Sequence, residues 1–172
     1  MTSVLINDPQ IPNLSLKALD EKHAKSLFAL IDNSRDFLSE WLPWVESTLT
    51  WEDSHSFITF MNQQRIKDNE YGYGIFFNDK IVGHISLMHV NTDVTPEIGY
   101  WIDSSYAGKG IATNATHLLA SFTVKELGVK QIVLRIKPDN IASNRVAEKV
   151  GFRFSEKIID SDIGEINIWY YL

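Results

Sequence analysis

The sequence predicts a mixed α+β fold in which a mostly antiparallel seven-stranded sheet carries helices on both faces. Two features lead to this fold class: short segments that alternate apolar and polar residues, and longer segments with apolar residues at helical spacing. The two kinds of segment are interleaved along the chain, as expected for a sheet covered by helices. At 172 residues, with neither a repeat nor a linker, the chain is expected to form one domain over residues 1–172.

The first half of the chain predicts one strand followed by helices. Residues 14–18 alternate at period two, which is typical of a strand. Asp20 can cap the first helix, and Pro43 breaks the chain after the second. Thr50 and Asp53 have capping-box spacing before the third helix. These helices are predicted over residues 21–32, 34–40 and 51–68.

The second half of the chain predicts six strands and two helices. The dipeptide Asn78-Asp79 indicates a hairpin turn between the first two of these strands. Gly128 and Gly151 suit the left-handed position at which many helices end. The strands are predicted over residues 73–77, 80–90, 96–103, 131–136, 152–159 and 165–172, and the helices run from residue 111 to 128 and from 141 to 150.

Composition excludes several classes of site and partner. The chain has no cysteine, which rules out disulfides, thiolate metal sites and a cysteine acyl-enzyme. A formal net charge of −6 opposes direct nucleic-acid binding, and the five histidines show no metal-ligand spacing, so we expect no metal. The N-terminus lacks a basic segment followed by a long apolar stretch, and no apolar run approaches the ~20 residues of a membrane span. We therefore expect a cytoplasmic protein without a membrane partner.

Residues 107–113 form a glycine-rich turn between a predicted strand and a predicted helix. Gly108 and Gly110 would allow a phosphate to approach the backbone, and the free amides at a helix N-terminus attract anions. Lys109 could add a full positive charge. The turn is therefore either a phosphate-binding loop or a plain glycine turn.

Two common phosphate-binding motifs do not fit this turn. In the P-loop pattern, Asp103 stands where the first glycine belongs, and Gly110 follows Lys109. In the dinucleotide pattern, Thr113 replaces the third glycine, and residues 134–137 end the next strand without an acidic residue.

Two motifs resemble those of the GNAT superfamily of acetyl-CoA-dependent N-acetyltransferases. Gly110 and Ala112 match the last two positions of its pyrophosphate-binding motif, Q/R-x-x-G-x-G/A. The segment Asn140-Ile-Ala-Ser-Asn-Arg-Val-Ala-Glu-Lys-Val-Gly-Phe152 is similar to the motif that follows the fifth strand of the family, N-x-x-x-x-x-x-x-E-K-x-G-F. Both motifs stand in the family's order, and the predicted elements resemble its fold over essentially the whole chain. The resemblance implies an N-acetyltransferase.

The resemblance also implies where acetyl-CoA binds. Asn140 would either contact the pantetheine or serve as a plain helix cap. Ala107 stands where the family carries Gln or Arg, so phosphate binding would depend mainly on backbone amides. The pantetheine is expected along the backbone of Trp101 and Ile102, and the pyrophosphate on Ala107, Gly108, Lys109, Gly110, Ile111, Ala112 and Thr113.

Candidate catalytic residues follow from the same resemblance. Many members carry a tyrosine thought to protonate the leaving thiolate, but this chain has Ala147 there, so we take Ser143 as the candidate donor. Its alternative role is to satisfy amides in the first helical turn. Glu97 lies at a strand position where several members have a catalytic glutamate, which makes it the candidate base or else a solvent-facing strand-end residue. Without a cysteine, direct transfer in a ternary complex is the simplest scheme.

The acceptor amine is indicated by aromatic residues. Trp41 and Trp44, taken with the segment from Glu97 to Trp101, resemble the RimJ/RimL branch, whose members acetylate N-termini of ribosomal proteins. The tryptophans could equally be core or lid residues. A basic ribosomal-protein N-terminus is the expected acceptor, with a polyamine or antibiotic acetyltransferase and a non-catalytic acetyl-CoA-binding module as alternatives. A homodimer is left open.

Overall fold

The computed structural model describes residues 5–172, so the first four residues of the expected domain lie outside the described part. Its eight strands form one sheet in the order β1-β2-β3-β4-β5-β6-β8-β7. Only the pairing of β5 with β6 is parallel. The strands are β1 (Leu5–Asn7), β2 (Leu14–Lys17), β3 (Tyr71–Phe77), β4 (Lys80–Met88), β5 (Glu97–Ile102), β6 (Ile132–Ile136), β7 (Arg153–Asp160) and β8 (Gly164–Tyr171).

Five α-helices connect these strands. They are α1 (Ala24–Asn33), α2 (Arg35–Ser39), α3 (Trp51–Ile66), α4 (Ile111–Leu127) and α5 (Ile141–Val150). The capping box predicted for α3 is present, because the Asp53 carboxylate accepts from the Thr50 backbone N–H at 2.9 Å. None of the described helices has the length and apolar composition needed to cross a membrane.

The sheet has eight strands and not the predicted seven. The additional strand, β1, has only three residues and pairs with β2 at the edge of the sheet. Three residues are too few to show a period-two pattern, so this strand is identified by its hydrogen-bonded register alone. The first predicted helix also differs, since it starts with a 3-10 segment, Glu21–His23, before α1 begins. The predicted fold class, a mostly antiparallel mixed sheet with helices, is confirmed.

Helices cover the sheet on both faces. We call the face under α1 and α3 the front face and the face under α4 and α5 the back face. Along β5, Ile98 and Ile102 belong to the core shared with α4 and α5, whereas Trp101 belongs to the core shared with α1 and α3. Since side chains alternate along a strand, Glu97 and Trp101 point to the front and Tyr100 points to the back.

A gap between β5 and β6 opens toward the glycine-rich turn. These two parallel strands share a single register pair, Glu97 with Val133, within the described chain. A bond of 2.9 Å from Val133 N to Pro96 O marks the start of this pairing. Beyond Glu97, therefore, the β5 backbone groups that point toward β6 have no strand partner in residues 5–172, and they can bind an extended ligand.

Candidate active site

The glycine-rich turn lies between β5 and the N-terminus of α4. Gly108 and Gly110 have positive φ angles of 72° and 79°, and a Cβ atom at either residue would meet nothing within 4 Å. The first bond of α4 runs from Asn114 N to Gly110 O at 3.0 Å, so the three preceding amides of the turn lack helical acceptors. This combination of free amides and open surface suits a phosphate.

The side chains of the turn contribute little beyond one positive charge. The Lys109 ammonium lies 5.3 Å from the centre of the Tyr106 ring, which keeps this charge beside the turn. Ile111 is buried in the back core, so only its backbone amide faces the turn. Ala107 is exposed and offers no polar side chain. Apart from the charge of Lys109, the turn can therefore offer an anion mainly its backbone N–H groups.

The β5 residues expected to hold the pantetheine are placed beside the gap. Trp101 and Ile102 are each 8% exposed, and their side chains belong to opposite cores. Their side chains are therefore occupied by packing, and only backbone groups could contact an extended ligand in the gap. The bond from Asp103 N to Val82 O shows that the backbone groups of Trp101, two residues earlier, point toward β4, whereas those of Ile102 point into the gap. The expected backbone contact is therefore open to Ile102 and not to Trp101.

Glu97 lies on the front face at the start of β5, where it is partly buried. Its register partner on β4 is Met88, and the next residue on that side, His89, is in the left-handed region with φ 61°. Burial raises the pKa of the Glu97 carboxyl, and the charges of Arg135 and His89 partly oppose this rise. A carboxylate whose pKa is raised toward neutrality is a better proton acceptor than an ordinary glutamate.

Aromatic side chains from distant parts of the chain meet on the same face. The Trp44 ring lies 6.0 Å from the Trp101 ring, and the Phe57 ring lies 5.1 Å from His84, which is the register partner of Trp101. Trp44 and Phe57 remain 39% and 37% exposed, so this group, which we call the aromatic cleft, is open to solvent. Trp41 is half-buried and makes no ring contact within residues 5–172.

Two further polar residues lie on the front face: Glu70, which was missed in the sequence, and His84, which was expected on a strand near the site but was given no role. Burial lowers the pKa of His84 to about 3, with Arg65 adding to the effect, so its imidazole is neutral; it makes no hydrogen bond within the described residues. Glu70 directly precedes β3, and burial raises its pKa despite the Ser86 hydroxyl and His89. Neither residue belongs to a recognisable motif. Strand register brings both to the face of the sheet that carries the candidate base, which sequence periodicity does not reveal.

The N-terminus of α5 places Ser143 in a defined environment. Asn140 is the N-cap, and its side-chain oxygen accepts a bond of 3.2 Å from the Ser143 backbone N–H. The cap role expected as an alternative for Asn140 is therefore observed. The Ser143 hydroxyl caps nothing and instead accepts a bond of 3.1 Å from the Tyr100 hydroxyl. Asn144 fixes this turn to the sheet by accepting from Trp169 Nε1 at 3.0 Å.

The tyrosine position of the family is closed in this fold. Ala147 is fully buried in the back core, and its methyl group offers no hydrogen bond to a ligand in the gap. Ser143 lies four residues earlier on the same helix, which places it on the same side one turn nearer the N-terminus. Tyr100, also missed in the sequence, supplies a phenol from β5 instead.

The structure places the candidate base and the candidate hydrogen-bond donor on either side of one strand. Glu97 points to the front, and Ser143 is reached from Tyr100, three residues along β5 and on its back. Three strand residues span about 10 Å. A thioester lying in the gap would have a proton acceptor on one side and a hydroxyl on the other, which is what direct acyl transfer requires. Residues 5–172 contain no group of three or more side chains able to hold a metal ion.

Comparison with known proteins agrees with this geometry. Residues 13–153 match the family model of the acetyltransferase (GNAT) domain. The chain is 31% identical over 145 residues to the ribosomal-protein-serine acetyltransferase of Escherichia coli (strain K12). The aligned segment covers 81% of this chain and 79% of that relative. It is 30% identical over 159 residues to the probable N-acetyltransferase YjcK of Bacillus subtilis (strain 168), with 90% and 87% covered.

Solved structures show the same fold. The RimL ribosomal L7/L12 α-N-protein acetyltransferase in complex with coenzyme A has a TM-score of 0.89 at 22% identity, with 95% of this chain and 96% of that chain covered. The microcin C7 self-immunity acetyltransferase MccE in complex with acetyl-CoA and AMP has a TM-score of 0.86 at 26% identity, with 94% and 93% covered. The chain therefore belongs to the GNAT acetyltransferase family and is an N-acetyltransferase that takes its acetyl group from acetyl-CoA.

Proposed function

We propose that this enzyme belongs to the RimJ/RimL branch and acetylates the N-terminal α-amine of a protein, such as a basic ribosomal-protein N-terminus, in the cytoplasm and as a single domain. The observation that carries the proposal is the aromatic cleft on the same face of β5 as Glu97, because it is open to solvent and can admit the end of a polypeptide. The similarity to a ribosomal-protein-serine acetyltransferase supports it. The net charge of −6 also suits a basic acceptor.

In the proposed mechanism the acetyl group passes directly from sulfur to nitrogen. An α-amino group with a pKa near ~8 is mostly protonated at neutral pH, so Glu97 accepts its proton, directly or through a water molecule. The free amine attacks the thioester carbonyl and forms the C–N bond, and the C–S bond breaks with its electron pair remaining on the sulfur. The nitrogen then releases its second proton, which the thiolate or solvent takes up to give the neutral amide. Ser143 donates a hydrogen bond to the departing thiolate, whose thiol has a pKa near ~8.5.

Binding of acetyl-CoA in this scheme uses the backbone. We propose that its pyrophosphate contacts the amides between Gly108 and Thr113, and that its pantetheine extends along the free edge of β5, past Trp101 and against the backbone of Ile102. Lys109 adds charge at the turn, and Asn140 shapes the first turn of α5 as its cap. Trp44 is proposed to contact the acceptor, and Trp41 stays a prediction at the edge of this region.

A substrate panel tests the proposed acceptor. We expect peptides with a free N-terminus to be acetylated with a higher kcat/KM than spermidine or an aminoglycoside. The rate is measured by detecting the thiol of the released coenzyme A. Mass spectrometry should place the acetyl group on the α-amine, and a peptide with a blocked N-terminus but a free lysine is the matched control. Equal or better turnover of the small amines would favour the second candidate, a small-molecule acetyltransferase, which the structural similarity to MccE supports.

Removing the Ser143 hydroxyl is expected to slow the reaction without weakening cofactor binding. In Ser143→Ala we expect kcat to fall about 10-fold, because a hydrogen bond to a charged group contributes about 1.5–3 kcal/mol. The acetyl-CoA Kd should stay within about twofold, since binding uses other residues. The cap of α5 is Asn140, so thermal unfolding should change little. A loss of stability that matches the loss of rate would contradict the role in thiolate departure.

A further inference from the structure

We propose that Tyr100 is a positioning residue that orients the Ser143 hydroxyl toward the departing sulfur. The inference rests on the proposed role of Ser143 in acetyl transfer and extends the catalytic apparatus to the back of β5. It assigns Tyr100 no contact with the cofactor. The geometry that supports it is a hydrogen bond that joins β5 to the first turn of α5.

The bond between the two hydroxyls has a clear direction. The Tyr100 hydroxyl donates to Ser143 Oγ across 3.1 Å. Neither hydroxyl has another hydrogen-bond partner within residues 5–172, and the Ser143 backbone N–H is already engaged by Asn140. The serine oxygen therefore accepts the hydrogen bond from Tyr100, and the hydrogen of the serine hydroxyl remains available to a group in the gap.

Both ends of this bond are held in place. The Tyr100 ring packs against the back core, and its register partner Ile85 is fully buried. The first turn of α5 is fixed by Asn144, whose amide nitrogen donates to Lys137 O at 3.0 Å and to Asn140 O at 2.8 Å. A serine hydroxyl without such a neighbour would rotate among three staggered positions. The tyrosine bond selects one of them before the cofactor arrives.

Tyr100 acts by polarisation and not as the proton source. Burial raises the pKa of Tyr100 to about 12, while its bond to Ser143 opposes the rise. A thiol has a pKa near ~8.5, so complete transfer of the phenolic proton to the thiolate would be unfavourable by a factor on the order of 10³. The phenol keeps its proton, and its donation makes the serine hydroxyl a better donor to the sulfur.

This arrangement explains how the enzyme works with Ala147 at the tyrosine position of the family. The phenol has moved from the α5 helix to β5, and it acts through a serine located between it and the gap. A merely structural tyrosine would stabilise the fold with or without Ser143. A positioning tyrosine affects the rate only while the serine hydroxyl is present.

A double-mutant cycle tests the proposal. The rates of the wild type, Tyr100→Phe, Ser143→Ala and the double variant are measured with whichever acceptor amine gives turnover, so the test does not depend on the proposed acceptor. We expect Tyr100→Phe to lower kcat about fivefold, as the loss of one hydrogen bond predicts, and to leave the acetyl-CoA Kd within about twofold. In the Ser143→Ala background the same substitution should change kcat by less than about twofold.

Each other outcome has a defined meaning. Equal slowing by Tyr100→Phe in both backgrounds, or no slowing in either, would overturn the positioning role. If Ser143→Ala alone keeps wild-type kcat, the proposed role of Ser143 is wrong, and the positioning role of Tyr100, which depends on it, is wrong as well. Tyr73→Phe is the matched control, because Tyr73 is a buried tyrosine in the same register row on β3. Its effect on kcat, of whatever size, should be the same with and without Ser143.

Discussion

Replacement of Glu97 by glutamine is expected to lower kcat/KM by about 10²-fold or more, because the amine then loses its proton acceptor. Burial raises the pKa of this carboxyl. As the pH falls, the wild-type enzyme should therefore begin to lose activity at a higher pH than the usual pKa of a glutamate would give. The acidic limb of kcat/KM, measured at saturating acetyl-CoA, should be absent or displaced in Glu97→Gln. Wild-type rates across that limb in a folded variant would exclude Glu97 as the base.

The stability of the same variant separates catalysis from folding. The pKa of Glu97 is higher in the folded protein than in the unfolded chain, so the unfolded chain releases this proton at lower pH. Wild-type stability therefore falls as the pH rises from the unfolded-state pKa to the folded-state pKa. Glutamine does not ionise. Glu97→Gln should therefore be at least as stable as the wild type at pH 7, and the difference should vanish below about pH 4. A rate loss in a variant of this stability cannot come from unfolding.

Replacement of Gly110 by valine is expected to weaken coenzyme A binding by about tenfold or more. Gly110 has φ 79°, a conformation that β-branched residues rarely adopt, and a side chain there would project into the open surface proposed for the pyrophosphate. The loss of one or two amide bonds to a charged phosphate, each contributing about 1.5–3 kcal/mol, accounts for this size. Calorimetric titration with coenzyme A measures the effect.

The same helix offers a matched control. Gly128 ends α4 with φ 66°, and a Cβ atom there would also meet nothing within 4 Å. Gly128→Val therefore introduces a similar backbone strain far from the proposed phosphate site, and it should lower stability while leaving the coenzyme A Kd unchanged. If Gly110→Val binds coenzyme A as tightly as Gly128→Val does, the turn is not the pyrophosphate site.

The local elements of this protein could be predicted because their signals lie within a few residues. The α5 helix matches its predicted bounds, with Asn140 at its start and Gly151 in the left-handed region at its end. The hairpin turn at Asn78 and Asp79 has positive φ at both residues, as its sequence indicates. The short strand β1 could not be predicted, because only its pairing with β2 identifies it.

The candidate site was predicted in part, and the missing residues share a cause. Glu97, Ser143 and the glycine-rich turn lie in motifs that can be compared position by position with a family. His84 lies in no such motif, and the Tyr100 hydroxyl, although it belongs to the segment compared with the RimJ/RimL branch, acquires its partner only from another element. The contact between Trp44 and Trp101 likewise joins residues far apart in the chain.

The sequence by itself therefore determined the order of the strands and α-helices other than β1, the position of the glycine-rich turn and the family, because periodicity, caps and glycine positions act locally. The tertiary structure alone decided which side chains surround the gap between β5 and β6. It paired His84 with Trp101, set the Tyr100 hydroxyl against Ser143, and buried Glu97 enough to raise its pKa. These properties depend on strand register and desolvation, which arise only when distant segments pack together.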